Sequence, residues 1–146
     1  MTQDPANTEA IEALQQELLE DLSIFQQWEE RYEYVISLGR RLSEMPETRK
    51  TEDRLIKGCQ SQVWVDADIS PEGVVSFLAD SDSTITKGMI ALFVQVLNGQ
   101  HRDAVLKADL SFIDQTGLKE HLAPSRANAL NLMANEMKKL ALGGGS

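Results

Sequence analysis

From Val63 to Ile69 the apolar residues Val63, Val65, Ala67 and Ile69 alternate, with Asp66 and Asp68 opposite. Such alternation is the pattern of a strand with one buried face. Ser70-Pro71-Glu72-Gly73 then supplies turn residues, and Val74 to Ala79 (VVSFLA) is again rich in β-forming side chains. An antiparallel hairpin follows, and it is the one strong β signal in the chain. Leu55 and Ile56 are read as a short additional strand beside it.

Helical periodicity occupies the rest. Thr8 and Glu9 open a pattern carried by Ile11, Leu14 and Leu18, and Ser23 with Gln26 forms a capping box that predicts a fresh helix start. Phe25, Trp28, Tyr32, Val35, Ile36 and Leu42 form its stripe, and Pro46 ends it. Asp80-Ser81-Asp82-Ser83 offers cap residues for a very apolar helix through Ile85, Met89, Leu92, Phe93 and Val96, which Asn98-Gly99 stops. Short helical pieces are predicted around Ala104 to Lys107 and Phe112 to Thr116, with Gly117 as a C-terminal cap. Pro124-Ser125 opens a last helix on Leu130, Met133, Met137 and Leu140. Helices, then a small antiparallel sheet of about three strands, then helices: this order predicts an α+β domain with the helices packed on one face of the sheet.

A chain of 146 residues is long enough to bury about two thirds of its unfolded surface, so one domain over residues 1–142 is expected. Within it, residues 1–22 form an acidic N-terminal helix without a basic side chain, and 143–146 read as a Gly/Ser tail. The balance of 14 Lys+Arg against 23 Asp+Glu leaves a net charge of -9. Such a surface repels phosphate backbones and anionic lipid, so neither nucleic acid nor membrane is an expected partner. The apolar run Met89–Val94 is far too short to span a bilayer, and the acidic N-terminus does not resemble a targeting peptide. A cytoplasmic protein is expected.

Cys59, the single cysteine, lies in Gly58-Cys59-Gln60-Ser61-Gln62-Val63-Trp64 (GCQSQVW). It excludes an intrachain disulfide and every metal site that needs two cysteines, so no metal is expected. A free cysteine is by type a small core hydrophobe. Here Gly58 and the polar Gln60, Ser61 and Gln62 argue instead for a turn just before the first strand. Two influences on its reactivity oppose each other. Lys57 and the cations before it would lower the thiol pKa, whereas a loop folded inward over Leu55, Ile56, Val63 and Met89 would raise it.

The other candidates for chemistry are weak. A cysteine hydrolase needs a histidine base, and neither His101 nor His121 sits in a motif of that kind. Trp28 and Trp64 read as core aromatics, and Asp80 and Asp82 as helix caps. Arg126 stands in the first turn of a helix, where a cation opposes the helix dipole.

Several blocks together are similar to the SufE family: Trp28-Glu29-Glu30-Arg31-Tyr32, Ile36-Ser37-Leu38-Gly39, the Gly58–Trp64 segment, Asp80-Ser81-Asp82 leading to Lys87-Gly88, and His121-Leu122-Ala123-Pro124-Ser125-Arg126. They keep their order from about Ser23 to Met137. The resemblance implies the SufE/IscU-like fold, shared with the scaffolds on which iron-sulfur clusters are built. It also implies that Cys59 accepts sulfur as a persulfide from a SufS-like, pyridoxal-phosphate-dependent cysteine desulfurase. The protein would stimulate that enzyme and deliver sulfur to a SufBCD-like scaffold complex. Gly58, Gln60, Asp82 and Arg126 would support the loop or the partner.

Under this reading the chain is a sulfurtransferase-type carrier subunit, a monomer or homodimer, with no cofactor of its own and no independent hydrolytic or redox activity. The pyridoxal phosphate belongs to the desulfurase. One accessible thiol suffices for the transfer, and a second nearby would discharge the persulfide as a disulfide. The alternative is an interaction adaptor that regulates a partner through its acidic helical surface, with Cys59 inert.

Overall fold

A computed structural model of the protein describes residues 4–143. Met1 to Gln3 at the start of the acidic segment, and Gly144 to Ser146 of the Gly/Ser tail, lie outside the described residues. The elements run α1 (Glu9–Ile24), α2 (Trp28–Arg40), two short 3-10 turns (Glu47–Arg49 and Glu52–Arg54), β1 (Val63–Ile69), β2 (Val74–Ser81), α3 (Thr84–Leu97), β3 (Gln100–His101), α4 (Arg102–Lys107), α5 (Phe112–Gln115), α6 (Leu118–His121) and α7 (Pro124–Ala141). This is the α+β order of the sequence pattern, with a three-stranded antiparallel sheet in the order β1-β2-β3.

The hairpin register sets Val65 opposite Ala79 and Ala67 opposite Phe77, so the apolar faces of both strands coincide. At the turn Gly73 takes φ +88°, and its amide donates to the Ser70 carbonyl at 2.8 Å. The third strand differs from the expectation. Gln100 and His101 pair with Val75 and Val74, whereas Leu55 makes only an isolated bridge to Trp64 on the other edge. Leu55 terminates a 3-10 turn, and only the Ile56 amide, bonded to Val63 O at 2.9 Å, continues the pairing.

At the centre is α3. Met89, Ile90, Leu92, Phe93, Val96 and Leu97 are fully buried, each stabilising the fold by about 1.5–3 kcal/mol relative to exposure. The helix packs between α2 and β2 and also touches α1 and α7. Ser83 caps its start by accepting the Thr86 amide hydrogen. Against α2 it comes unusually close: a Cβ added at Gly88 would lie 2.4 Å from the Val35 carbonyl oxygen, and one at Gly39 would lie 2.8 Å from the Gly88 nitrogen.

Two local readings change. Ser23 starts no helix: its hydroxyl donates to the Glu20 carbonyl at 2.6 Å, so α1 continues to Ile24 and α2 begins at Trp28 without a side-chain cap. Asp80 is no cap either, being bonded to Lys50 and Lys87.

The sheet face opposite the helices is charged. Asp66, only 6% exposed, receives Arg49 at 2.7 Å and Arg54 at 3.1 Å, and Arg49 also reaches Asp68 at 2.9 Å. Trp64 lies on this face under Lys50, 5.7 Å from the ring centroid, and is not a residue of the inner core. No described helix is long and apolar enough to cross a membrane.

Candidate functional site

The segment 57–62 forms a loop whose ends are tied together. At its base the Ile56 amide donates to Val63 O. On the other flank the Gln62 amide donates to Asp82 Oδ1 at 3.0 Å, and the Asp82 amide returns a bond to Gln62 O at 3.2 Å. Asp82, expected as a cap, therefore braces the loop against the end of β2.

Helix α7 holds the loop from the side. Gly58 has φ +92°, the left-handed region that glycine tolerates, and a Cβ there would lie 3.1 Å from Leu132 Cδ1. On the far side of the thiol, Ser125 Oγ donates to Gln60 Oε1 at 3.3 Å. Ser125 and Leu132 are two helical turns apart on one face of α7. Cys59 is thus bracketed by two contacts to a single helix.

The thiol itself is half-buried against the hydrophobic cluster that includes Ile56, Val63 and Met89. Burial pushes its pKa above the ordinary thiol value. The cations that precede it in sequence do not offset this. Arg49, Lys50 and Arg54 are engaged with Asp66, Asp68 and Asp80 on the outer sheet face, and Lys57 is exposed. The hydrogen bonds to Asp68 and Asp66 raise the Arg49 pKa, and the bond to Asp80 does the same for Lys50. Burial acts to raise the Asp80 pKa but is outweighed by bonds from Lys50, the Ser81 amide and Lys87, so that its carboxyl stays below the usual range.

Arg126 is exposed in the first turn of α7, next to the residue that touches Gln60. It borders a groove of about 280 Å³ lined by Tyr32, Ile36, Ile85, His121, Leu122 and Ala123. Among the described residues no carboxylate pairs with it. A larger hollow of about 430 Å³ between Asp4–Ala10 and Gln100–Ala104 contains no residue of the thiol loop.

The histidines stand apart from the thiol chemistry. His101 Nδ1 accepts the Asp103 amide hydrogen at the start of α4. His121 stacks on Trp28 with ring centroids 3.7 Å apart. Among the described residues no group of three or more His, Cys, Asp or Glu is placed to hold a metal ion.

Comparison with known proteins gives the family and the fold. The sequence profile of SufE, described as an "Fe-S metabolism associated domain", matches residues 16–141. The chain belongs to the SufE family. An uncharacterized SufE-like protein of Rhizobium meliloti (strain 1021) is 34% identical over 131 residues, covering 87% of this chain and 94% of that protein. The fold is also that of a hypothetical protein from Thermus thermophilus solved in solution, with a TM-score of 0.73 at 20% identity, covering 89% of this chain and 94% of the other. Membership in the SufE family ties the chain to iron-sulfur metabolism.

Of the residues singled out in the sequence, Gly58, Cys59, Gln60 and Asp82 all belong to the loop or its brace. Arg126 stands one residue beyond the Ser125 contact. Leu132 is not legible as a site residue, because an apolar residue in an amphipathic helix carries no mark of what it touches. Ser125 lies inside one of the SufE-like blocks but reads as a helix start rather than a loop contact.

Proposed function

We propose that Cys59 is a sulfur carrier: it takes sulfur from a cysteine desulfurase persulfide, stimulates that enzyme, and delivers the sulfur for iron-sulfur cluster assembly. The observation that carries this reading is the loop itself, a lone half-buried thiol at a glycine turn in a chain of the SufE family. The Cys59 thiolate attacks the terminal sulfur of the donor Cys–S–SH. The donor S–S bond breaks, its cysteine leaves as a thiolate, and Cys59 ends as the persulfide. No electron acceptor is needed, because one S–S bond forms as another breaks.

Burial at rest suits this chemistry. A persulfide in solvent is open to reduction by cellular thiols, whereas a sheltered one keeps its sulfur until a partner meets it. The raised thiol pKa is the cost of shelter, so transfer requires the loop to turn outward on docking. Arg126, unpaired with a carboxylate among the described residues, and the adjoining groove supply a cation and apolar surface beside the loop for a desulfurase to engage. The PLP stays with that enzyme, and the scaffold is the downstream acceptor.

The test is intact-protein mass spectrometry after incubation with a cysteine desulfurase and cysteine. The carrier reading expects a gain of one sulfur, removed by reductant and absent in Cys59→Ser. Stimulation of the desulfurase without any sulfur on the protein would instead identify an adaptor with an inert cysteine.

A further inference from the structure

Two contacts converge on His121, and two more fix the Trp28 ring that it stacks on. Its ring lies 3.7 Å from the Trp28 ring at 25°, a stacked geometry, and its backbone carbonyl accepts the Tyr32 hydroxyl. On Trp28 itself, the Arg31 guanidinium sits 4.8 Å from the ring centroid, held by a 2.8 Å bond from Nε to Phe25 O. Gly117, at φ +76°, lets the chain pass close to the same indole, since a Cβ there would come within 3.2 Å of Trp28 Cζ2. The start of α2 therefore pins the segment that runs from Gly117 through α6 to His121.

That segment leads directly into α7. Leu122 and Ala123 link His121 to Pro124, and the next residue, Ser125, holds Gln60 beside the thiol. Seven residues further along the same face, Leu132 packs on Gly58. The chain of contacts is continuous: Trp28 and Tyr32 to His121, His121 to the first turn of α7, and α7 to both sides of Cys59.

We infer that Trp28 and Tyr32 are positioning residues for the thiol: by clamping His121 they set the first turn of α7, which keeps the 57–62 loop folded inward. The inference rests on the reading of Cys59 as the carrier thiol and adds what keeps it closed. Both residues lie on α2, outside the thiol loop. Releasing the clamp shifts the loop toward its outward form, in which the thiol meets solvent.

The consequence is measurable without any partner. Alkylation of Cys59 in the free, folded protein reads the open population directly. Trp28→Ala should raise the rate about two- to tenfold, the equilibrium change expected from an aromatic contact of this kind. Tyr32→Phe, which removes one hydroxyl and leaves the packing, should move it in the same direction, and Trp28→Phe, which retains a ring, should stay within about twofold of the starting protein.

Leu18→Ala is the control, because Leu18 is 2% exposed in α1 and a deletion there lowers stability without touching the clamp. Faster alkylation in Trp28→Ala and Tyr32→Phe with an unchanged rate in Leu18→Ala supports the inference. Unchanged rates in both clamp variants, or an equal rise in Leu18→Ala, overturn it. Because the assay uses no desulfurase, it also separates the two readings. Sulfur gain with no alkylation contrast defeats the clamp alone, and the contrast without sulfur gain defeats the carrier reading alone.

Discussion

Asp82 and Gln62 hold each other in both directions, the Gln62 amide donating to the Asp82 carboxylate and the Asp82 amide donating to the Gln62 carbonyl. The pair joins the last residue of the thiol loop to the segment that leads into α3. It extends the β1–β2 ladder by one position beyond the Val63–Ser81 pair. Asp82→Ala removes the side-chain half, so the Gln62 amide should exchange its hydrogen faster. The exposed site should keep the loss of global stability to about 1 kcal/mol. Asp82→Asn keeps an acceptor oxygen and should restore slow exchange. Exchange at Gln62 that ignores both substitutions would show that the backbone alone closes the loop.

Gly88 meets the backbone of α2 where no side chain can yield. A methyl group 2.4 Å from the Val35 carbonyl oxygen and 2.7 Å from its carbon must push the two helices apart. Overpacking of this kind costs about 1–3 kcal/mol or more, against up to about 1 kcal/mol gained from replacing glycine in a helix. Because the obstructing atoms are backbone, the upper part of the overpacking range applies, and Gly88→Ala should lower the urea midpoint at unchanged slope by an amount corresponding to about 1–2 kcal/mol. An unshifted midpoint would mean that α2 and α3 separate freely.

The α+β order was legible because the apolar periods of the hairpin, α3 and α7 are long enough to distinguish a strand from a helix. The third strand was not, since Gln100 and His101 are joined to β2 by backbone pairing and two residues carry no period. Alternation correctly put Asp66 and Asp68 opposite the core, yet it could not reveal the 3-10 turns that fold back and bury Asp66 under Arg49 and Arg54. The same cations looked available to Cys59 along the sequence, and tertiary structure assigns them to the sheet instead. At the thiol loop the glycine, the cysteine and the polar flanks were readable as local chemistry. Its contacts with Leu132 and Ser125, more than sixty residues away, were not.

Burial of Cys59 makes stability depend on alkaline pH. Its folded pKa lies above the unfolded value of about 8.5, so below that pH both states hold the proton and the thiol gives no pH dependence. As pH rises further the unfolded chain ionises first, binds fewer protons than the native state, and is favoured until the folded pKa is passed. As pH rises past about 8.5, the urea midpoint should therefore fall by more in the unsubstituted protein than in Cys59→Ser. The alkylation rate of the native protein should also have its pH midpoint above that of the unfolded chain. Parallel midpoints in the two proteins would mean that the thiol is as hydrated as in the unfolded chain.

Arg126 separates stability from partner engagement. It lies in the first turn of α7, which has no acidic residue, so its charge opposes the helix dipole by about 0.3–1 kcal/mol at an exposed position. Arg126→Ala should therefore leave the unfolding midpoint unchanged or slightly raised. If the exposed guanidinium engages a desulfurase carboxylate, the same substitution should increase the protein concentration needed for half-maximal stimulation of cysteine turnover. Arg126→Lys should fall between the two, since a lysine keeps the charge but lacks the two-pronged geometry of a guanidinium. Raising the salt concentration should reduce the difference between Arg126 and Ala by screening an exposed pair. A variant that stimulates with full potency but unfolds earlier would assign Arg126 to the fold and leave the adjoining apolar groove to account for docking.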